Sequence, residues 1–340
     1  MEHIIALEDL KAFCTAALEH EGMESGDARR CAEALAETDA YGTHSHGTKN
    51  LHNYIKKFRA GGMDIHAALK VLTDGPAYAL LDAQNGMGEC ASYRAMELAI
   101  EKARKSGVAL VTVCRSNHFG AAGFYANMAA KAGMLGLCVS NVDPNMTAPG
   151  AKGMLLGNNP LAYAAPAKST PSIFLDIAMS NVASLKVVQA RKDGLPTTDP
   201  SHYPEEGAMQ PMAAHKGYGL SILVDLLTGA LANAATSMSG EIVSWCFELD
   251  KPNNVSHAFL VVNPEMFGGA QAYVQQNEQM AAALRTAPKA QGSTRIYTPG
   301  EIEWERYARA VSEGIKLPDD VAGSIEALSE DVGVKIPWKA

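Results

Sequence analysis

Leu7, Leu10, Phe13, Cys14, Ala17 and Leu18 recur at the three- and four-residue spacing of a helix buried on one side. The pattern predicts a helix over 7–20 that Gly22 ends. Ser25 is placed to cap a second helix over about 26–40. Thr48 is placed to cap a third, with Leu51, Tyr54, Ile55 and Phe58 on one stripe and Gly61-Gly62 at its end. From about residue 73 the period changes. Residues 77–82 and 108–114 read as strands, separated by a helix over 91–106 that Gly107 stops. A glycine-containing loop over 116–123 leads into a helix over about 124–132 and a strand over 134–140. Further strands are expected at 172–177 and 256–262. Helices are expected at 218–235, about 265–285, 300–315 and 321–329. This β–α–β–α–β order predicts a sheet covered by helices. Residues 142–170 hold several Pro and Gly, show no clear period, and read as a long loop of the kind that carries function.

Composition narrows the possible partners. The 340 residues are 47% apolar and 19% charged, with a formal charge of -8 and no run of Lys or Arg, so nucleic acid and anionic membrane surfaces are poor partners. No stretch approaches 18 uninterrupted apolar residues, so nothing reads as a membrane span. The opening MEHIIALEDLKAF is interrupted by Glu8 and Asp9 and lacks the pattern of a secretory signal. The six cysteines are scattered and form no C-x-x-C, which fits reduced thiols in a cytoplasmic protein.

Five stretches could carry chemistry. His44-Ser45-His46-Gly47 falls in a turn between helices, and imidazole is the side chain best matched to proton transfer near neutral pH. The same H-x-H spacing serves metal-dependent hydrolases when a strand aims both rings at one ion, although helical flanks would make the rings diverge. His118 follows a buried strand, where open α/β sheets place ligands, with Gly120 and Gly123 beside it. Gly86-Met87-Gly88-Glu89-Cys90-Ala91 mimics a dinucleotide fingerprint, but the next strand ends in Cys114-Arg115 and not in an acid, and Glu89 would face a pyrophosphate badly. Gly157-Asn158-Asn159-Pro160 could hold a carboxamide, and Lys216-Gly217-Tyr218-Gly219 sets a cation at a helix start that attracts anions.

Taken in order, these stretches resemble the type-2 malate/L-lactate dehydrogenase family. The motifs are Ser45-His46-Gly47, Asn85-Gly86-Met87-Gly88, Ser116-Asn117-His118-Phe119-Gly120, Gly157 to Pro160, Asp176-Ile177-Ala178-Met179-Ser180, Pro196 to Pro200, Lys216 to Gly219, and Pro299-Gly300. The resemblance spans about residues 7–316. It implies a mixed α/β fold: a non-Rossmann nicotinamide-binding mixed sheet over 73–263, covered by helices. A helical lobe over 1–72 would be joined by helices from 264–340. It implies NAD or NADP as cofactor, with NAD favoured, and a homodimer whose protomers complete the site. His46 and His118 become the proton-handling candidates, His46 favoured. Asn159, Pro160, Asp176, Ser180, His215, Lys216, Pro299 and Gly300 become cofactor contacts, and Ser45 and Asn50 substrate contacts. No metal is implied. The substrate would be a small 2-oxo or 2-hydroxy acid.

Two departures stand out. The family commonly carries Arg where this chain has Asn50, and an amide cannot form the bidentate ionic fork that Arg gives a carboxylate. The stretch between Lys186 and Pro196 is shorter than usual. A hydrolase built on His44 and His46, and a nucleotide-binding relative without catalysis, are the competing readings.

Overall fold

The computed structural model of the chain describes residues 3–181, 189–191, 196–197 and 207–339. Positions 187–188 and 192–195 of the short stretch, and the motif residues 198–200, lie outside them.

 The rest of the chain folds largely as its apolar spacing dictates. β1 (Ile4–Ile5) leads into α1 (Leu7–His20), which buries Leu7, Leu10, Phe13, Cys14, Ala17 and Leu18 as expected. α2 (Ser25–Ala40) begins one residue earlier than the cap assignment allowed: Glu24, not Ser25, accepts the Asp27 N–H at 3.1 Å. Ser25 is already helical, and its hydroxyl accepts from Arg29. α3 (Leu51–Arg59) is likewise not capped by Thr48. Both the N–H and the hydroxyl of Thr48 go to the buried carboxylate of Asp39, at 2.8 and 2.6 Å, so the chain makes two tight 3₁₀ turns, His44–His46 and Thr48–Asn50, before the helix starts.

The sheet follows. β2 (Lys70–Gly75), β3 (Tyr78–Asp82), α4 (Gly88–Ser106), β4 (Val108–Ser116), α5 (Ala122–Lys131), β5 (Leu135–Ser140), β6 (Leu161–Pro166) and β7 (Ser172–Ile177) come next. The short strands β8 (Gln189–Arg191), β9 (Pro196–Thr197) and β10 (Gly207–Met209) form a small sheet of their own, before α6 (His215–Asp225) and β11 (Val255–Val262). The main sheet has seven strands in the order β2-β3-β4-β11-β5-β6-β7. Only β3 and β4 pair in parallel; β11 is wedged antiparallel between β4 and β5. The β–α–β–α–β run therefore lies in one sheet, but its second and third strands are not neighbours.

Helices cover both faces. α4 sets Ala91, Ala95, Ala99 and Ala103 against the sheet, and these small side chains let the helix sit close over Val111 and Val113 of β4. Burying each of those valines contributes about 1.5–3 kcal/mol. On the opposite face Val224 of α6 packs on Val139 and Ala258. α6 ends at Asp225, continues as one π turn over Leu226–Ala230, and stops where Asn233 takes a positive φ of 49°. The expected helix to residue 235 is shortened for that reason. The chain closes with α7 (Ala270–Thr286), α8 (Glu301–Glu313), β12 (Ile315–Lys316) and α9 (Asp319–Val332). β12 pairs with β1, and α9 packs with α1 and α3 around Leu10, Ile55, Val321 and Ile325. α7 lies instead beside β6, where Asn277 donates to the Pro166 carbonyl. Among the described residues, no helix is long and apolar enough to cross a membrane.

Candidate active site

At the C-terminal ends of β4 and β5 the sheet opens into a cleft of about 890 Å³, a size suited to a cofactor and a small substrate. A buried histidine builds its base. His257, in β11, bonds Ser140 of β5 through Nδ1 and Ser116 of β4 through Nε2, both at 2.9 Å. Its ring stacks on Phe119 with centroids 4.5 Å apart, which fixes the loop that follows β4. Burial pushes this imidazole down to about 3, so it is a neutral clamp.

His118 stands in that loop. Its ring stacks on Trp245 at 4.4 Å, and its Nδ1 meets the Tyr54 hydroxyl at 2.6 Å. Burial, with His46 and His257 nearby, holds it well below the ordinary histidine range. His46 reaches the same cleft from the turn before α3. Its Nδ1 meets the Ser45 hydroxyl at 2.8 Å, and its ring lies 5.7 Å from that of His118. The ring is flanked by protein but open to the cleft, and the enclosure lowers its pKa too. Both rings thus spend Nδ1 on a hydroxyl and carry no hydrogen bond from a described residue at Nε2. His44 points away, to Asp39 at 2.9 Å. The two rings of the H-x-H stretch diverge, and among the described residues no group of three or more His, Cys, Asp or Glu is placed to hold a metal ion.

The far wall carries Asn158, Pro160, Asp176, Ser180 and Gly300. Asp176, next to the last residue of β7, accepts the Gly123 N–H of α5 at 2.7 Å; burial raises its carboxyl to about 6, with Glu303 adding to the rise. A side chain at Gly123 would press on that carboxylate, so glycine keeps the wall open. Asn159 is not on the wall. It lies fully buried behind it, its amide given to the Ser221 carbonyl and Asp225, its oxygen taken by Val142 N–H and Ser237. Asn50 is also off the wall and donates to the Ser45 carbonyl at 3.0 Å. Pro299 accepts from Phe174 N–H behind Gly300. His215 and Lys216 are exposed at the start of α6, next to Met212 on the rim. Residues 85–89, the fingerprint mimic, do not line the cleft. Among the described wall residues there is no Lys or Arg.

Several contributors escaped the sequence reading. Tyr54 falls on an apolar stripe, and its spacing carries no sign of where the hydroxyl goes. Trp245 sits in an irregular stretch. Asp225, the last residue of α6, is buried and holds Asn141, Asn159 and the Ser237 N–H. A lone acid in an apolar helix was the one available signal.

Comparison with known proteins is consistent along the whole chain. A family model described as malate/L-lactate dehydrogenase matches residues 5–326. A malate dehydrogenase from Pyrococcus abyssi is 33% identical over 97% of this chain and 95% of its own length. A ureidoglycolate dehydrogenase (NAD(+)) from Escherichia coli is 32% identical over 88% of each chain. Among solved structures, a malate dehydrogenase from Pyrococcus horikoshii superposes with a TM-score of 0.92 at 32% identity, covering 98% of this chain and 97% of its own.

Proposed function

The chain belongs to the malate/L-lactate dehydrogenase family, and from that premise we propose that it moves a hydride between NAD and a small 2-oxo or 2-hydroxy acid, with the His46–His118 pair handling the proton. The observation that carries this reading is the pair of imidazoles sharing one cleft, each with Nδ1 engaged and Nε2 left for a ligand. Bound there, the nicotinamide supplies the hydride in reduction and accepts it in oxidation. Pro160 and Ser180 offer a wall to its ring end, and Asp176 a carboxylate to its ribose. A 2′-phosphate would meet the negative charge of Asp176 and Glu303, which favours NAD over NADP. His215 and Lys216, at the open N-terminus of α6, suit the phosphates.

The proton step belongs to the chain's own residues. In reduction an imidazole N–H aimed at the carbonyl oxygen stabilises the developing charge and then gives up its proton there. In oxidation the bare nitrogen takes the hydroxyl proton. Ser45 holds the His46 ring in place, and Asn50 acts on the substrate through the Ser45 carbonyl. In this reading the substrate carboxylate takes a hydrogen bond from a neutral donor on the wall, the Asn158 amide.

A panel of 2-oxo acids assayed with NADH and NADPH tests the reading. At least one acid should be reduced, with kcat/KM for NADH exceeding that for NADPH by about tenfold or more, a difference of roughly 1.4 kcal/mol. Turnover of none of them with either cofactor would sink it.

The reading extends to a homodimer. Leu220, Leu223, Leu226 and Leu231 stay 36–57% exposed along the outer side of α6, its π turn and the residue that follows, while Val224 packs inward. A helix apolar on both sides wants a second cover, and a second copy of this chain would supply one. Leu223→Asp combined with Leu226→Asp should halve the mass seen by sedimentation. A wild-type chain that sediments as a monomer would refute the pairing.

A further inference from the structure

Glu89 is a buried acid that the reaction above does not use. It stands in the first turn of α4, beneath the His118 loop, with no exposed surface. Neither carboxyl oxygen has a hydrogen-bond partner among the described residues. An unpaired buried carboxyl is costly, and such groups in native folds call for a reason. Glu89 lies beside the Tyr54 hydroxyl, close enough to interact with it although the hydrogen bond is not fully formed. Tyr54 is also fully buried, and its hydroxyl meets His118 Nδ1 at 2.6 Å. Carboxyl, phenol and imidazole therefore stand in a row from the core to the cleft.

The row answers a difficulty in the proton step. His118 is enclosed and faces His46 and His257, so it does not hold a second proton near neutral pH. A neutral imidazole that gives its proton from Nε2 must receive one at Nδ1. We propose that Glu89 is the far end of a proton relay through Tyr54, and that its protonation state decides which nitrogen of His118 carries the hydrogen. Glu89 and Tyr54 are thus positioning residues. The inference rests on the function above, taking His118 as the imidazole that meets the substrate oxygen.

The transfers balance. In reduction the carbonyl carbon gains the hydride, the C=O π pair moves to oxygen, and that oxygen takes the proton from Nε2 of His118. The Tyr54 O–H bond breaks toward Nδ1, and the Glu89 O–H bond breaks toward the Tyr54 oxygen. Glu89 ends as carboxylate, Tyr54 is restored, and His118 stays neutral with its hydrogen moved to Nδ1. Oxidation runs the row backwards. The groups facing Glu89 are Tyr54 from α3, Tyr125 from α5 and Cys31 from α2, with Cys90 next to it on α4; none is a cation. Burial raises its carboxyl to about 8, which sets the exchange in the neutral to alkaline range.

Nitrogen NMR of His118 and infrared spectra of the carboxyl group test this in the free protein. In the wild type the protonated-carboxyl band should vanish with a midpoint near 8. The His118 hydrogen should move from Nε2 to Nδ1 with the same midpoint. Glu89→Gln should abolish both changes and lower kcat for reduction by roughly 10–100-fold, with the affinity for NADH retained. Tyr54→Phe should keep the titrating band but uncouple it from His118, which covers the case that Glu89→Gln does not fold. A His118 tautomer that ignores pH in the wild type, or still switches in Glu89→Gln, overturns the relay. A switch that behaves as described in a protein that reduces no 2-oxo acid supports the relay and overturns the function instead.

Discussion

Replacing His118 by alanine is expected to lower kcat for 2-oxo acid reduction by about 10²–10⁴-fold, and His46→Ala to fall in the same range, with the dissociation constant for NADH changed by no more than about threefold. The expectation follows from where each ring spends its nitrogens. Nδ1 of His118 is held by Tyr54 and Nδ1 of His46 by Ser45, so Nε2, which no described residue bonds, is the nitrogen each ring would offer a ligand. Removing a ring deletes a group needed when charge develops on the substrate oxygen and leaves the Asp176–Ser180 wall untouched. The rings lie 5.7 Å apart and influence one another's charge, so their effects should not add: the double variant should be little worse than the worse single one. Stopped-flow turnover with separate titration of NADH by fluorescence checks this. Equal losses of turnover and NADH affinity would mean that the rings only support the cleft.

Much of the architecture was legible because period and burial agree. β4, β5, β7 and β11 are apolar runs, and α1 shows its buried stripe without ambiguity. β6 was not legible: Leu-Ala-Tyr-Ala-Ala-Pro is poor in β-branched residues and sits between Pro160 and Pro166, so it read as part of a loop. β2 was missed because it is an exposed edge whose Lys70 and Asp74 hide any alternation. The insertion of β11 between β4 and β5 is a pairing across more than 100 residues, which local spacing does not encode. The site divides in the same way. His46 and His118 could be singled out by residue type and by the loops they occupy, but their meeting depends on α3 packing beneath the β4 loop. Asn159 and Asn50 carry polar amides that look available in sequence, yet Asn159 is bonded to Ser221, Asp225, Val142 and Ser237 behind the wall and Asn50 donates to the Ser45 carbonyl. In sequence Glu89 is an acid badly placed for a phosphate; its carboxyl points into the core, because Gly88 lets α4 start directly against the His118 loop.

That close approach supports the last expectation: Gly88→Ala should destabilise the protein by about 1–3 kcal/mol or more, lower Tm by roughly 3–10 °C, and reduce kcat on the order of 10²-fold in whatever fraction folds. A Cβ at position 88 would overlap the main-chain carbonyl oxygens of Asn117 and His118. Those oxygens cannot swing away cheaply. Asn117 is fully buried, and its amide ties the loop to the carbonyls of Asn85 and Gly86 and to the Asn85 side chain, each at 3.0 Å. Relief must come from lifting α4 or from shifting His118, and the second displaces the imidazole from its place over the cleft. Gly323→Ala is the matching control. It lies in the exposed face of α9 with no atom near its would-be Cβ, so it should stabilise by up to about 1 kcal/mol through helix propensity alone. The glycine pattern of residues 86–88 thus has a packing cause: a helix pressed against a loop needs the same missing side chain that a phosphate would. A Gly88→Ala protein with unchanged melting and turnover would show that the loop yields, and that His118 is not held in place from below.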